Sequence, residues 1–497
     1  MYIMSRSQLP RTWSIGAMSA IFLILAARTA IPAIAQCQED KLTYSDAQMA
    51  DLLGWSLDMD GDWLVAGMNR GFEPFSKIVV WQRVGDQWVE WDALSPNGDY
   101  LYDSQRIQAA VSGDVLVGNG WNDYEHESGF AVVYRRINGE WIEEQRIEPF
   151  LPEQSNPYLH SIDISGNWIM IGCRDCVSPS NQGVRVYRYN GAAWTYVQTL
   201  APPELAELGR RISIDGNWAA MEEYYEDTES HALRLYEYDG QTWVLRQTLQ
   251  SPPGEVHWNF GSTFDVSGDR LAVVVWRDDV QPLDCEARVY RLVDQSWIPE
   301  AVIEYPENPQ YSNVGCTVRM NGDRLVMMTR IEGLPDDCYA VHSFRFEQNQ
   351  WAYQGTSLVD CSVYGNWFGL TTAISGDNFA TSAMLDDEAA HGAGAVFAFN
   401  LNDADCNNNG VCDRIDIADG TSWDIDGNGI PEECDCVGDL NGDRVVDLDD
   451  LAQLLGHYAA TGDVSYYQGD LDFDGDVDLD DLAEMLSRYG DTCPWPA

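Results

Sequence analysis

The sequence predicts a mainly β fold, a ring of seven four-stranded sheets, and two observations support this prediction. The first is a sequence motif in which Gly-Asp or Gly-Asn lies between two apolar runs. This turn motif recurs every 50 to 54 residues between residues 41 and 400. A glycine with Asp or Asn between apolar runs of this kind is a strong signal of a β-hairpin. The glycines of this turn motif are Gly61, Gly113, Gly166, Gly216, Gly268, Gly322 and Gly376.

The second observation is a further apolar run in each unit, such as VVW or RVY, which in all but the last unit is followed by a tryptophan. These tryptophans are Trp88, Trp141, Trp194, Trp243, Trp297 and Trp351. Each unit therefore contains two hairpins in series, which makes four strands. Units that each expose apolar faces bury them by standing side by side, so we predict a seven-bladed β-propeller of four-stranded blades.

The seventh unit has no tryptophan strand after GAVFAFNL, and the start of the chain offers a replacement. The segment KLTYSDAQMADLLGWSLDMDGD aligns with QTLAPPELAELGRRISIDGN of a later unit, which matches Leu42 with Leu200. We therefore expect the N-terminal segment to supply the fourth strand of the last blade. This closure would remove an exposed sheet edge and join the ring.

The repeated units resemble the integrin-α-type (FG-GAP-like) propeller repeats of bacterial secreted proteins, of a planctomycete-like kind. The resemblance covers residues 41 to 400 and implies the propeller fold. Integrin blades often carry a DxDxDG calcium loop between strands, and these units have none. The resemblance therefore implies no calcium in the blades.

The C-terminal segment contains one acidic pattern twice, as DLNGDRVVDLDDLAQLLGHYA and as DLDFDGDVDLDDLAEMLSRYG. Alternating aspartates also fit a strand with one charged face, but like charges side by side on a strand destabilise it. A loop around calcium resolves the repulsion, because oxygen ligands at positions 1, 3, 5, 9 and 12 and a carbonyl at position 7 surround the ion. The predicted ligands are Asp439, Asn441, Asp443, Val445 (carbonyl), Asp447 and Asp450 in the first loop, and Asp470, Asp472, Asp474, Asp476 (carbonyl), Asp478 and Asp481 in the second.

An apolar stripe with helical spacing follows each loop, and we expect the two stripes to pack against each other. The stripes are Leu451, Leu454, Leu455 and Tyr458, and Leu482, Met485, Leu486 and Tyr489. The duplicated pattern resembles the type I dockerin, an α-helical pair of EF-hand-like units that attaches secreted enzymes to cohesin domains of scaffold proteins. The resemblance implies bound Ca²⁺ and a cohesin-like or other extracellular protein partner. A solvated acidic tail is the alternative interpretation of the same segment.

The first loop departs from the dockerin pattern, because Arg444 replaces the glycine found at position 6, where the second loop has Gly475. Before the closing aspartates stand Leu448-Asp449 and Leu479-Asp480, where many dockerins have Ser-Thr. Calcium binding therefore carries over better than the identity of the partner.

Two further short loops lie upstream and resemble thrombospondin type 3 repeats. Their predicted calcium ligands are Asp405, Asn407, Asn409, Asp413 and Asp416, and Asp424, Asp426, Asn428, Glu432 and Asp435. No apolar helix follows either loop, so the ion would take the place of a core. A turn-rich linker of Asn, Asp and Gly is the alternative.

The predicted organisation is a signal peptide over residues 1–35, the propeller over 36–401, a calcium-loop spacer over 402–437 and a dockerin-like domain over 438–497. Basic residues precede the apolar run Ile15–Ala27, and Ala33-Ile34-Ala35 fits a cleavage site, so we expect a secreted or cell-surface protein without a membrane span. Without the three arginines of the signal segment, 26 bases face 80 acids, a formal charge of −54. This surface repels nucleic acid and anionic membranes and attracts calcium.

All twelve cysteines follow the predicted cleavage site, and an even number in an exported chain favours disulfides. We expect the six propeller cysteines to lie at the same face of the propeller, and this placement suggests the pairs Cys173–Cys176, Cys285–Cys316 and Cys338–Cys361. Cys436–Cys493 would join the two ends of the docking module.

The loops on one face of the propeller contain aromatic residues and acids. These are Trp121, Tyr124, Tyr224, Tyr225, His257, Trp258, Trp276 and Trp367, with Asp123, Glu226, Asp278, Asp279, Asp386 and Asp387. They suit a glycan or a protein ligand, or else they fill blade junctions. The sequence contains neither GxSxG nor HExxH, so binding or scaffolding is favoured over catalysis. The alternative is a glycoside hydrolase-like enzyme of polysaccharide catabolism, delivered by the same docking module.

Overall fold

The computed structural model describes most of the strands of the chain and the two C-terminal loop-helix units. The described residues are 34–35, 38–69, 76–85, 87–96, 107–121, 129–148, 158–174, 183–201, 206–225, 230–250, 260–261, 263–277, 284–303, 311–331, 339–357, 368–401, 412–413, 416–417, 420–424, 430–462, 464–472 and 474–492.

The strands form seven antiparallel blades, which confirms the predicted seven-bladed propeller. Two strands precede blade 1 in the chain, β1 (Ile34–Ala35) and β2 (Gln38–Leu42). Blade 1 contains β3 (Ser56–Asp60), β4 (Trp63–Gly67), β5 (Ile78–Val84) and β6 (Gln87–Leu94), and blade 2 contains β7 (Ala109–Ser112), β8 (Val115–Trp121), β9 (Gly129–Ile137) and β10 (Glu140–Ile147). Blade 3 contains β11 (Tyr158–Ser165), β12 (Trp168–Arg174), β13 (Val184–Tyr189) and β14 (Trp194–Leu200), and blade 4 contains β15 (Glu207–Asp215), β16 (Trp218–Tyr225), β17 (Ser230–Tyr238) and β18 (Trp243–Gln250).

Blades 5 to 7 follow the same order, and the last blade takes its outer strand from the start of the chain. Blade 5 contains β19 (Phe264–Ser267), β20 (Arg270–Arg277), β21 (Asp284–Val293) and β22 (Ser296–Ile303), and blade 6 contains β23 (Tyr311–Asn321), β24 (Arg324–Ile331), β25 (Tyr339–Glu347) and β26 (Gln350–Ser357). Blade 7 contains β27 (Phe368–Ser375), β28 (Asn378–Ala383) and β29 (Ala395–Asn400). β1 lies within the predicted signal segment and pairs in parallel with β26 of blade 6.

The N-terminal closure predicted from the sequence is confirmed. β2 pairs with β29 in antiparallel fashion, and Leu42 lies opposite Val396 as Leu200 lies opposite Val184 in blade 3. The carboxylate of Asp40 accepts a hydrogen bond of 2.9 Å from the Trp88 N–H of the next blade. The blade that ends the ring therefore contains residues from both ends of the propeller segment.

The core of the propeller lies between adjacent blades and contains the tryptophans of the repeats. A tryptophan of the second strand in one blade packs edge-on against the fourth-strand tryptophan of the next, with ring centroids 5.4 Å apart for Trp63 and Trp141. The corresponding distance is 5.3 Å for the pair Trp168 and Trp243. Burial of such large apolar rings makes each blade interface a section of core.

A second repeated contact joins the turns of neighbouring blades. The side chain before each turn glycine accepts a hydrogen bond from the N–H of the next blade's turn glycine. The described pairs include Asp60 with Gly113 (2.6 Å), Ser112 with Gly166 (3.1 Å), Ser165 with Gly216 (3.0 Å), Asp215 with Gly268 (2.7 Å), Ser267 with Gly322 (2.8 Å) and Asn321 with Gly376 (3.1 Å). The φ angles of these glycines lie between +55° and +60°, a region that L-residues seldom adopt.

The C-terminal module contains two loop-helix units, with helices at Leu448–His457 and Leu479–Arg488, a short helix at Glu432–Asp435 and a 3₁₀ turn at Tyr466–Gln468. Each loop pairs with the segment that follows the other helix. The Val446 N–H donates to Asp491 O (3.0 Å), and the Val477 N–H donates to Ala460 O (3.0 Å). The two units are therefore interlocked by equivalent contacts.

The expected packing of the two apolar stripes is only half right. Leu454 and Met485 are fully buried in the module core, whereas Leu455 and Leu486 are 51% and 54% exposed. The physical reason is that adjacent helical residues point about 100° apart, so a four-residue stripe is wider than the contact between two short helices.

No helix in the described part of the chain is long and apolar enough to cross a bilayer. Cys285, Cys412, Cys434 and Cys436 are disulfide-bonded. Each disulfide pair predicted from the sequence includes a cysteine side chain outside the described residues, so those pairs stay predictions.

Candidate functional site

The first C-terminal loop gathers carboxylates around one point. Oxygen atoms of Asp439, Asp443 and Asp450 lie within 4.8 Å of one another, and Asp439 and Asp450 are fully buried. The Arg444 N–H donates to Asp439 Oδ2 (2.6 Å), and the Leu440 N–H donates to Asp450 Oδ1 (2.9 Å). Arg444 has a φ of +70°, so it adopts the turn that a glycine would normally make.

The second loop repeats this geometry. Oxygen atoms of Asp470, Asp472 and Asp481 lie within 4.8 Å of one another, and Asp476 and Asp478 form another such group with Asp481. The Leu471 N–H donates to Asp481 Oδ1 (2.7 Å), which matches the bond to Asp450 in the first loop. The buried Oδ1 of Asp470 has no hydrogen-bond partner in the described part of the chain.

Each loop contains a carboxyl group whose pKa is raised. Burial raises the pKa of Asp450, and the nearby Asp439 adds to the effect. Burial also raises the pKa of Asp470, with further contributions from the charges of Asp481 and Asp472. Closely spaced buried carboxylates need a compensating positive charge to stay ionised.

Each loop also begins its helix. Asp447 and Asp478 are the N-caps, and the closing Asp450 and Asp481 accept hydrogen bonds from the cap N–H groups at 2.8 Å and 2.7 Å. The closing aspartate is therefore both a member of the carboxylate group and part of a capping box.

The upstream spacer is described only in part. Asp405, Asn407, Asn409, Asp426, Asn428 and the side chains of Glu432 and Asp435 lie outside the described residues. Asp413 and Asp416 are buried, and Asp416 Oδ1 accepts a hydrogen bond of 2.8 Å from Thr421 Oγ1. The two calcium loops predicted here stay predictions.

The first strands of all seven blades line a central channel with a volume of about 920 Å³. Three aspartates three residues before the turn glycine face this channel, in alternate blades. Asp58 accepts from the Val111 N–H (2.7 Å), Asp163 from the Ile214 N–H (2.7 Å) and Asp265 from the Met320 N–H (2.9 Å). Each carboxylate therefore joins its own blade to the next.

The pKa of each of these channel carboxylates is raised. Burial raises the pKa of Asp58 to about 7, against the opposing effect of the N–H donors and Arg319. Burial raises the pKa of Asp163 well above its ordinary value, and the charge of Asp58 adds to it. Burial also raises the pKa of Asp265.

The aromatic and acidic loop residues predicted from the sequence are only partly described. Tyr224 and Tyr225 end β16 and are half-buried, while Asp386 is buried and forms an ion pair of 2.8 Å with Lys41. Asp387 accepts from the Gly392 N–H (2.6 Å). The side chains of Trp121, Tyr124, His257, Trp258, Trp276, Trp367, Asp123, Glu226, Asp278 and Asp279 lie outside the described residues.

Sequence reasoning missed the channel aspartates and a pair of buried acids, Glu222 and Glu223, in β16. A signal was present in both cases. For the channel aspartates, the signal is that the residue three before the turn glycine is polar in most blades. For the two glutamates, it is that WAAMEEYY of blade 4 has two adjacent acids, at positions where the second strands of other blades, such as RLAVV and WIMIG, have apolar or small residues.

Comparison with known proteins gives no family. No protein-family model matches the chain, and no curated protein matches it. Among solved structures it is similar to a periplasmic gluconolactonase of Pseudomonas aeruginosa, with a TM-score of 0.41 and 14% identity over 66% of this chain and 95% of the other. It is also similar to a proposed 6-phosphogluconolactonase of Bacteroides uniformis, with a TM-score of 0.41 and 11% identity over 62% of this chain and 86% of the other.

Proposed function

We propose that this protein is an exported binding or scaffolding propeller, attached to a partner through a calcium-dependent dockerin-like module. The propeller would present its loops to a glycan or protein, and the C-terminal module would bind two Ca²⁺ ions and a cohesin-like domain.

The observation that carries the proposal is the convergence of carboxylates in two equivalent loops. Asp439, Asp443 and Asp450 in one loop correspond in position to Asp470, Asp474 and Asp481 in the other. Calcium takes six to eight oxygen ligands, and clustered carboxylates with a carbonyl suit it better than they suit any softer metal. The donor set therefore fits a hard divalent cation.

The buried Oδ1 of Asp470 supports the same proposal. A buried carboxylate oxygen without a hydrogen bond costs free energy unless a cation compensates it. Bound calcium would also lower the pKa values that burial raises in these loops, because it favours the ionised carboxylate.

A docking role is supported by a duplicated apolar surface on the two helices. Leu448 and Leu479 are each 65% exposed, and Tyr458 and Tyr489 are 44% and 48% exposed. Together with Leu455 and Leu486 they form what we term the twin docking face. Large apolar side chains exposed at equivalent positions mark a surface that a protein partner covers.

A display role for the propeller is supported by the contrast between its strands and its loops. The turn motif recurs in every blade, whereas the loops between the second and third strands differ in length and composition. Rigid repeated strands with variable loops are typical of a scaffold that presents a binding surface.

The calcium test uses the chain from residue 36 onwards. We expect calorimetric titration to show at least two bound Ca²⁺ ions, and calcium to raise the thermal unfolding temperature of the module relative to chelator. Asp481→Asn should weaken one site by about tenfold or more, because it removes an anionic ligand. Asp480→Asn is the matched control, because Asp480 is the exposed neighbour of Asp481. Equal calcium binding by both variants would contradict the proposal.

The docking test measures binding of the calcium-loaded chain to a panel of purified cohesin domains. We expect the double variant Leu455→Asp and Leu486→Asp to lose binding while calcium affinity is unchanged. Binding to no cohesin, or unchanged binding by the double variant, would argue against a dockerin-like role for the module.

A further inference from the structure

Blade 4 contains a polar cluster at the end where β16 meets β17, and this cluster is independent of the docking module. We define the His231 cluster as Arg210, Arg211, Glu222, Tyr224 and His231. Tyr224 and His231 lie directly opposite each other in the β16–β17 pair, and the two arginines come from the innermost strand, β15.

Glu222 is the centre of the cluster. Its side chain is 1% exposed, and it accepts from His231 Nδ1 (2.9 Å) and from Arg211 Nη1 (3.1 Å). Burial acts to raise the pKa of Glu222, but the hydrogen bond from His231 and the charge of Arg211 outweigh it and lower the pKa. Glu222 is therefore an ionised carboxylate in a buried position.

The ionised carboxylate determines the tautomer of His231. A carboxylate only accepts hydrogen bonds, so Nδ1 of the imidazole carries the proton and Nε2 keeps its lone pair when the ring is neutral. The Tyr224 ring lies against the imidazole with centroids 4.8 Å apart, and Arg210 stacks on Tyr224 at 4.5 Å. The His231 side chain, 10% exposed, is thus held at both its face and its Nδ1.

A β-bulge lies just before Arg211, whose guanidinium contacts the same carboxylate as this imidazole. The β15–β16 register shifts between Leu208 and Ile212, and Gly209 in the bulge has a φ of +88°. Bulges re-aim side chains and are frequent beside active sites. Arg211 lines the central channel and its side chain is 51% exposed, so its guanidinium is accessible to a ligand while it contacts Glu222.

We propose that the His231 cluster is an acid–base catalytic centre for the hydrolysis of carboxylic esters, with His231 Nε2 as the general base. Nε2 takes a proton from water while the water oxygen forms a bond to the ester carbonyl carbon. The N–H groups of Arg211 stabilise the resulting oxyanion. The C–O bond of the alcohol then breaks, and the imidazolium returns its proton to the leaving alcohol, so ester and water give acid and alcohol.

In this reaction His231 is the catalytic residue and Glu222 is a positioning residue. Glu222 orients the imidazole and stabilises the imidazolium, as a carboxylate does for a catalytic histidine in general. Glu222 and Tyr224 contact the imidazole, and Arg211 and Arg210 contact those two side chains in turn. This arrangement is the preorganisation that an acid–base site requires.

The cluster does not suit glycoside hydrolysis, the alternative considered from the sequence. That reaction needs one carboxylic acid with a raised pKa beside a second carboxylate. The pKa of Glu222 is lowered, and the neighbouring Glu223 is paired with Arg234 at 2.9 Å. The chemistry available here is that of a base and a cation.

The test measures hydrolysis of p-nitrophenyl acetate by the chain from residue 36 onwards. We expect turnover by the wild type and a fall in kcat/KM of about 100-fold or more for His231→Ala, the size of a general-base contribution. Added imidazole should restore part of the activity of His231→Ala. Glu222→Gln should lower kcat about tenfold at similar KM, the effect of losing a group that orients a reactive histidine.

Glu223→Gln is the matched control, because Glu223 is equally buried, adjacent in sequence and paired with Arg234 instead of His231. We expect its kcat to equal that of the wild type. A nitrogen-15 NMR spectrum of His231 gives a readout that needs no turnover, and it should show the Nδ1–H tautomer. No wild-type turnover above that of His231→Ala, no rescue by imidazole, or an Nε2–H tautomer would each overturn the proposal.

Discussion

Ser375 Oγ in blade 7 accepts a hydrogen bond of 2.9 Å from the Gly61 N–H in blade 1. This bond is equivalent to the contacts between the other turn glycines and the side chain of the preceding blade, so the chain of turn contacts runs around the whole ring. The junction between the last and first blades therefore has the same local chemistry as the internal junctions.

Removal of this closing bond should cost the same as removal of an internal one. We expect Ser375→Ala and Ser165→Ala each to lower the free energy of unfolding by about 1 kcal/mol, the net value of one hydrogen bond. Chemical denaturation of each variant measures this. A loss for Ser165→Ala with none for Ser375→Ala would show that the ring is not closed in solution as it is here.

The N-terminal strand should contribute to the stability of the whole propeller. Leu42 is 6% exposed and packs in the core between blades 7 and 1 with Leu57 and Val396. We expect Leu42→Ala to destabilise the fold by about 2 to 5 kcal/mol through the lost contacts and the cavity. Leu245→Ala is the control, since Leu245 is 38% exposed on an outer strand. Equal melting temperatures of the two variants would contradict the closure.

The channel carboxylates should make stability depend on pH. Asp58 has a pKa of about 7 in the folded chain, against an ordinary value of 3.8. The folded state therefore keeps a proton that the unfolded state has already lost, so the free energy of unfolding falls as pH rises from about 4 to about 7. Asp58→Asn cannot ionise, and its amide oxygen still accepts from the Val111 N–H.

We expect Asp58→Asn to be more stable than the wild type at pH 8 and to lose less stability between pH 4 and pH 8. Urea denaturation at a series of pH values measures the difference, with chelator present in all samples so that calcium does not contribute. Parallel pH profiles for both proteins would mean that Asp58 does not titrate in this range.

Two adjacent leucines in the first helix of the C-terminal module should behave differently. Leu454 is fully buried and Leu455 is 51% exposed. We expect Leu454→Ala to destabilise the module by about 2 to 5 kcal/mol and Leu455→Ala by less than about 0.5 kcal/mol. Hydrogen exchange of the module amides measures both effects. Similar protection factors in the two variants would show that the helix is rotated from the position described here.

The blade repeat, its hairpin turns and the N-terminal closing strand were predictable from the sequence, because they depend on local patterns. A turn glycine between apolar runs signals its hairpin without knowledge of the rest of the chain, and the match of Leu42 to Leu200 reveals the closing strand. The spacing of the acidic residues in the C-terminal loops is local in the same way. Helix packing was predicted less well, since the spacing that defines a stripe does not say which half of it meets the other helix.

The contacts between blades and within the His231 cluster were decided by the tertiary structure. Nothing in the turn motifs MDGD or ISGD indicates that the Asp or Ser before the glycine accepts a hydrogen bond from the next blade. Glu222, His231 and Arg211 are separate in sequence. They meet because β16 pairs with both neighbouring strands, and Glu222 on β16 contacts Arg211 from β15 and His231 from β17. Such sites depend on strand register and on the approach of one blade to the next, and a single sequence carries no direct signal of either distance.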